Sequence, residues 1–258
     1  MTAYTAEYQK FSDGISIVNA KNIGWTQLKN YFDGEVARSI LNDIDILSNN
    51  PQKFKKCMYF FGTDNEGDRR LVRIERLWES LPTIEKTGLG ARIVADAEAF
   101  LGGPVQLFKD KVNIRYAGSK GYAPHQDSAA GWEEFADRFV SIGLFLHPSD
   151  PYRGGFEVVS GAHNDGRFSN EKGRMSEEDF QALKPTALVA EQGDAVLLDS
   201  EAPHKTLDNQ SDQNSVHLLF TFARVKQGDI RSAYYDEKER SFAEKRNGNE
   251  FEFRVFAF

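Results

Sequence analysis

Apolar residues recur at three- and four-residue steps at Val36, Ile40, Ile44 and Leu47, a spacing that predicts a helix. Asp33 suits its cap and Asn49-Asn50-Pro51 its end. A second helix is predicted from about Gly88 to Leu101, with Ile93, Ala97, Phe100 and Leu101 turned inward and Gly102-Gly103 as the stop. After residue 104 the pattern changes to short runs bounded by turn residues: Gln106–Tyr116, Phe139–His147, Gly155–Ser160, Thr186–Ala190, Ala195–Asp199 and Ser215–Ala223. A short helix near Ser176–Leu183, with Ser176 and Asp179 at capping-box spacing, interrupts them. The expectation is one domain over 1–258: a largely helical scaffold in 1–104, a mainly β sandwich or jelly-roll core in 105–225 and an extension in 226–258.

Two of these strands place polar residues on one face. Alternation groups Ser215, His217, Leu219 and Thr221 opposite Val216, Leu218, Phe220 and Phe222, and Lys109, Lys111, Asn113 and Arg115 opposite Phe108, Val112, Ile114 and Tyr116. Alternation alone does not say which face is wet. A cationic lining for an anionic ligand and a half-exposed strand are both compatible with it.

Composition narrows the function classes. The chain has 258 residues and a formal charge of −7, with Lys and Arg interspersed among acids, so the basic stripe of a nucleic-acid surface is missing. Cys57 is the only cysteine, which excludes an internal disulfide, and Met1–Gly14 is too polar for the core of a signal peptide. No apolar run reaches the length of a membrane span. A cytoplasmic protein acting on a small molecule, as monomer or homodimer, without membrane or nucleic-acid partners, is expected.

The chemistry concentrates in Tyr122-Ala123-Pro124-His125-Gln126-Asp127 and in Ala202-Pro203-His204. On an extended chain His125 and Asp127 point to the same side, so one short segment can chelate. With His204 they form the two-His, one-carboxylate set that suits iron(II) and leaves positions open for O2. His147 and His163 have no carboxylate at chelating spacing and read as structural. Cation candidates for an anionic cosubstrate are Lys111 and Arg115, helped by Asn113, Ser215 and His217. Candidates for contact with substrate are Tyr122 and Trp132, which flank the His-x-Asp segment, together with Asp110 and Thr221; Glu75 and Asp110 would suit a cationic amine. Ser128–Asp137 and Asn164–Gly173 are candidate lids, and Phe251–Phe258 a cap or a dimer contact.

Further ordered segments sharpen this: Leu107–Asn113, Gly121–Asp127, Gly154-Gly155-Phe156-Glu157-Val158-Val159-Ser160-Gly161-Ala162-His163, Gln192-Gly193-Asp194, Ala202-Pro203-His204, and the tail Gly228-Asp229-Ile230-Arg231 with Tyr234–Lys238. Together, over about residues 73 to 242, the sequence resembles the phytanoyl-CoA dioxygenase family. The resemblance implies a double-stranded β-helix, a cupin-like jelly roll, with His125, Asp127 and His204 as catalytic iron(II) ligands. It also implies 2-oxoglutarate as cosubstrate, O2 as oxidant, and oxidation of an unactivated C–H bond in a small molecule such as an amino acid or biosynthetic intermediate. Asp127 stands where related halogenases have a small residue, which favours hydroxylation, desaturation or ring formation. One position departs. About eleven residues after the distal histidine the family usually has an arginine for 2-oxoglutarate, and here Ser215 stands there. Arg224 lies roughly 30 Å further along an extended strand, so Arg115 or Lys111 is the expected replacement. Two alternatives stand beside this reading: an iron oxygenase with altered or no need for 2-oxoglutarate, and a non-catalytic metal-binding member of the fold.

Overall fold

A computed structural model describes residues 14–63, 67–168, 174–225, 228–244 and 253–254. In chain order the N-terminal part carries α1 (Gly14–Ile23), β1 (Trp25–Leu28), α2 (Gly34–Asn49), β2 (Met58–Thr63), β3 (Arg69–Glu75), α3 (Pro82–Lys86) and α4 (Leu89–Leu101). Then come β4 (Val105–Arg115), β5 (Phe139–Phe145), β6 (Phe156–Val158), α5 (Glu177–Ala182), β7 (Thr186–Leu188), β8 (Ala195–Asp199), β9 (His204–Thr206), β10 (Ser215–Arg224), α6 (Ile230–Glu244) and β11 (Phe253–Arg254). The strands form an eight-stranded sheet, β1-β8-β5-β10-β4-β3-β2-β11, and a three-stranded sheet, β7-β6-β9. This is the expected mainly β, double-stranded β-helix architecture.

The local signals act as expected. The Asp33 carboxylate accepts the Val36 N–H at 2.8 Å, and Val36, Ala37, Ile40, Ile44 and Leu47 form the buried face of α2. Gly102 ends α4 in the left-handed region at φ 77°, and Ser176 caps α5 through the Asp179 N–H. The helices bury these faces against one side of the large sheet, where Ile40, Ile93 and Ala97 join one core with Val112, Ile142, Leu144, Leu197, Leu218 and Phe220. Each fully buried Leu, Ile or Phe there contributes about 1.5–3 kcal/mol. The sheet's other face, with Lys111, Asn113, Arg115, His217 and Leu219, lines the cavity toward the small sheet.

Beside its helices the N-terminal part contributes three strands, β1, β2 and β3, to the large sheet. β3 pairs with β4 as Arg73↔Asn113 and Glu75↔Lys111, extending the polar face by one strand. Helix α6 packs on β4, so the C-terminal extension covers the sheet next to β3. Of the Phe251–Phe258 cap only 253–254 are among the described residues, as an edge strand pairing parallel with β2, and 169–173 of the second candidate lid lie outside them. No described helix is long and apolar enough to cross a membrane.

Candidate metal and cosubstrate site

His125 and His204 come from opposite sides of the site and exchange backbone hydrogen bonds, N–H to C=O at 2.9 Å in both directions. This isolated bridge sets the two rings 4.3 Å apart. Gln126 between the two proximal ligands is extended, φ −113° and ψ 128°, which places His125 and Asp127 on one side as alternation requires. Its amide is fully used: it donates to the Gly166 and Glu201 carbonyls and accepts the Phe168 N–H at 2.8 Å. The ligand-bearing segment is thereby fixed to two neighbouring loops. Upstream, Gly121 lies so close to Thr206 that a Cβ there would stand 2.0 Å from the Thr206 carbonyl oxygen, so only glycine lets this segment approach β9.

Ligand atoms of His125, Asp127 and His204 all lie within 4.8 Å of one another. His125 Nδ1 sits 2.8 Å from the Ala123 carbonyl and His204 Nδ1 3.0 Å from that of Ala202. A carbonyl only accepts, so each Nδ1 carries the proton and each Nε2 presents a lone pair. Burial opposes ionisation of Asp127, but Lys111 beside it, then the two histidines, hold its carboxyl well below the usual range. Burial lowers His204 to about 4. A carboxylate and two neutral imidazoles are the donor forms a divalent cation requires.

Of the cosubstrate candidates, Lys111, Asn113, Arg115 and His217 line one cavity with His125 and His204. Burial lowers Lys111 to about 8, against the pull of Asp127. Register brings Ser215 into the same group, since β10 pairs antiparallel with β4 as Ser215↔Arg115, His217↔Asn113 and Leu219↔Lys111. Arg115 is buried and held by Thr206 Oγ1 at 2.9 Å, the Leu207 carbonyl at 2.8 Å and Ser119 Oγ at 3.3 Å. Those contacts use three of a guanidinium's five N–H donors, and no carboxylate pairs with it among the described residues. Ser215 Oγ and His217 Nε2 are buried with no hydrogen-bond partner. Unpartnered buried polar atoms next to an unpaired guanidinium fit a bound carboxylate.

The substrate candidates divide. Tyr122 lines the cavity, but three others are not brought to it. Asp110 points away, accepting the Leu77 and Trp78 N–H groups and pairing with Arg231 of α6. Trp132 packs with Phe108 and Phe139 and borders a separate groove beside α6. Thr221 is bonded to Ser141 inside the sheet at 2.8 Å. Glu75 is completely buried among Lys109, Lys238 and Arg73, so neither acid forms a seat for an amine. Sequence reasoning missed Arg73, which lines the cavity. The signal was present, because alternation in Arg69–Glu75 puts Leu71, Arg73 and Glu75 on one face.

With this geometry in place, comparison with known proteins is informative. Residues 22–215, 194 of the 258, match the family described as Phytanoyl-CoA dioxygenase (PhyH). A methylphosphonate hydroxylase of Gimesia maris is 28% identical over 222 residues, covering 86% of this chain and 84% of that protein. A 2-aminoethylphosphonate dioxygenase from uncultured bacterium HF130_AEPn_1 is 27% identical over 243 residues, 90% of each chain. Among solved structures, EvdO2 from Micromonospora carbonacea var. aurantiaca complexed with 2-oxoglutarate superposes with a TM-score of 0.64 at 17% identity, covering 85% of this chain and 96% of that one. The α-ketoglutarate-dependent carbocyclase SnoK of nogalamycin biosynthesis gives 0.69 at 11% identity, over 89% and 92%.

Proposed function

The chain belongs to the phytanoyl-CoA dioxygenase family of iron(II)- and 2-oxoglutarate-dependent dioxygenases, and from this premise we propose that it hydroxylates a C–H bond of a small organophosphonate. In this reading His125, Asp127 and His204 hold the iron, and Arg115, with Ser215 and His217, holds the distal carboxylate of 2-oxoglutarate. Iron(II), when bound with cosubstrate and O2, supplies the oxidation: one oxygen atom goes to the C–H bond and the other to 2-oxoglutarate, which leaves as succinate and CO2.

The observation that carries the reading is the Ser215↔Arg115 register. The family's usual arginine is missing from β10, and the neighbouring strand supplies a guanidinium at the paired position. Thr206 and the Leu207 carbonyl aim that guanidinium. His217 is lowered to about 3 by burial, then by Arg115 and His147, so it meets the carboxylate as a neutral ring whose protonated nitrogen can donate. This seat weighs against an oxygenase independent of 2-oxoglutarate. Phe156, Leu219 and the face of Tyr122 contribute the remaining wall and help to exclude water from the reacting bond. The phosphonate assignment is supported by the two relatives named for phosphonate oxidation and by a cavity lining with three cations and no carboxylate.

Succinate release from 2-oxoglutarate in the presence of methylphosphonate or 2-aminoethylphosphonate, coupled one-to-one to hydroxylated product, is the expected result. Arg115→Ala should raise the 2-oxoglutarate requirement about 10- to 100-fold, the scale of a lost charged hydrogen-bond pair, while leaving iron binding intact. Unchanged 2-oxoglutarate affinity in that variant would exclude Arg115 from the role.

A further inference from the structure

The cavity contains a second guanidinium that 2-oxoglutarate does not need. Arg73 on β3 and Arg115 on β4 both stand over Tyr122, at 5.5 and 5.6 Å from its ring centroid. Strand pairing sets Ser215 opposite Arg115 and Asn113 opposite Arg73. Arg73 is held by Asn113 Oδ1 at 2.9 Å and by the Tyr122 hydroxyl at 3.0 Å. Its nearest carboxylate is Glu75, at 3.5 Å from Nη1. Glu75 is already paired with Lys238 and stands 3.8 Å from Lys109, so three cations share one acid. Of those three cations only Arg73 reaches the cavity. Lys111 lines the same cavity, with Asp127 as the carboxylate that acts most strongly on its ammonium.

Charge counting indicates what this side accepts. With Glu75 set against Lys109 and Lys238, Arg73, Lys111 and Arg115 would bring three positive charges to the cavity and iron(II) two, against one negative charge on Asp127 and two on 2-oxoglutarate. Two positive charges are left over, and a buried excess of that size is costly without a counter-charge. A neutral substrate would leave both uncompensated and a monocarboxylate one. A doubly charged oxyanion matches them, and a guanidinium can bind its oxygens in a bidentate fork.

We propose that Arg73, oriented by Asn113 and Tyr122 and assisted by Lys111, is the substrate-selecting residue, seating a doubly charged phosphonate or phosphate head group across Tyr122 from 2-oxoglutarate. This rests on the dioxygenase reading and adds the residue that chooses the substrate. Lys238 and Lys109 share the charge of Glu75 with Arg73, whose guanidinium also lines the cavity.

The test is calorimetric titration of methylphosphonate into the iron(II) protein under anaerobic, 2-oxoglutarate-saturated conditions, with inorganic phosphate and acetate as further probes. The expected order is methylphosphonate and phosphate binding and acetate binding more weakly. Arg73→Met should weaken methylphosphonate about 10- to 100-fold with the 2-oxoglutarate Kd unchanged. Arg73→Lys, which keeps the charge beside Glu75, should show a smaller loss in the same order and carries the test if the Met variant does not fold. Methylphosphonate binding equal to the parent's in the Arg73 variants, or a loss of 2-oxoglutarate affinity instead, overturns the assignment. A parent protein that binds 2-oxoglutarate but neither methylphosphonate nor phosphate overturns the anion seat and leaves the dioxygenase reading standing. One that binds no 2-oxoglutarate overturns both.

Discussion

His217 shows how one buried side chain of the cavity wall weighs on stability in acid. Burial, then Arg115 and His147, lower it to about 3, whereas in the unfolded chain it titrates near 6.5. As pH falls the unfolded chain takes up the proton first, so stability present above about pH 6.5 is lost progressively down to about pH 3. Between pH 7.5 and pH 5 this group alone removes about 2 kcal/mol. In metal-free protein His204, lowered to about 4 by burial and then by His125, adds a change of the same sign. Urea unfolding of metal-free protein at the two pH values should show the loss, and His217→Phe should remove about half of it. An undiminished acid-side slope in that variant would contradict the buried neutral state. At this scale the sequence was most legible around the metal. His125 and Asp127 are two residues apart, and local extended geometry alone puts them on one side. For Arg73 alternation gave the face but not the cavity, because its neighbours Asn113 and Tyr122 are 40 and 49 positions away in the chain.

At the scale of elements, the C-terminal helix shows how a misassigned residue acquires a different task. Asp110, expected at the substrate, instead ties α6 to the first helical turn after β3. It accepts the Leu77 and Trp78 N–H groups and pairs with Arg231, while the Tyr235 hydroxyl bonds the backbone of Asp110. Burial pushes the Asp110 carboxyl up even against Arg231, so this charge is desolvated and depends on its partners. Asp110→Ala should destabilise the fold by about 3–5 kcal/mol, as for removal of one member of a buried pair, and expose α6 to limited proteolysis. A change under about 0.5 kcal/mol with α6 still protected would contradict the anchoring role. The predicted helices and most of the strands after residue 104 match the structure because caps and periodicity are local signals. The three N-terminal strands were passed over, because alternation of Arg with Leu and Ile in β3 does not reveal that β4 is its neighbour.

Across the whole molecule, the proposed ligands come from a connection and from a strand of the small sheet. His125 and Asp127 lie on the connection after β4 of the large sheet, and His204 begins β9 of the small one. A divalent ion bound by all three would therefore tie that connection to β9 and stabilise the folded state by mass action, about 2.7 kcal/mol at a hundredfold excess over Kd. Adding iron(II) anaerobically, or manganese(II) as a stable substitute, should raise Tm in the parent and not in His204→Ala. An equal rise in that variant would place the ion elsewhere.

The sequence by itself determined the class of protein: the chelating spacing of His125 and Asp127, the polar faces of two strands, the turn signals and the family resemblance all lie within short stretches of chain. Only the tertiary structure decided which face of those strands is the cavity, and it removed Asp110, Trp132 and Thr221 from that cavity while adding Arg73. It also placed Arg115 opposite Ser215, the pairing on which the proposed 2-oxoglutarate seat rests. Those two residues are a hundred positions apart in sequence, and antiparallel pairing of β10 with β4 makes them neighbours. Strand register, set by the packing of both faces of the sheet at once, is a property of the assembled sheet that neither strand carries alone.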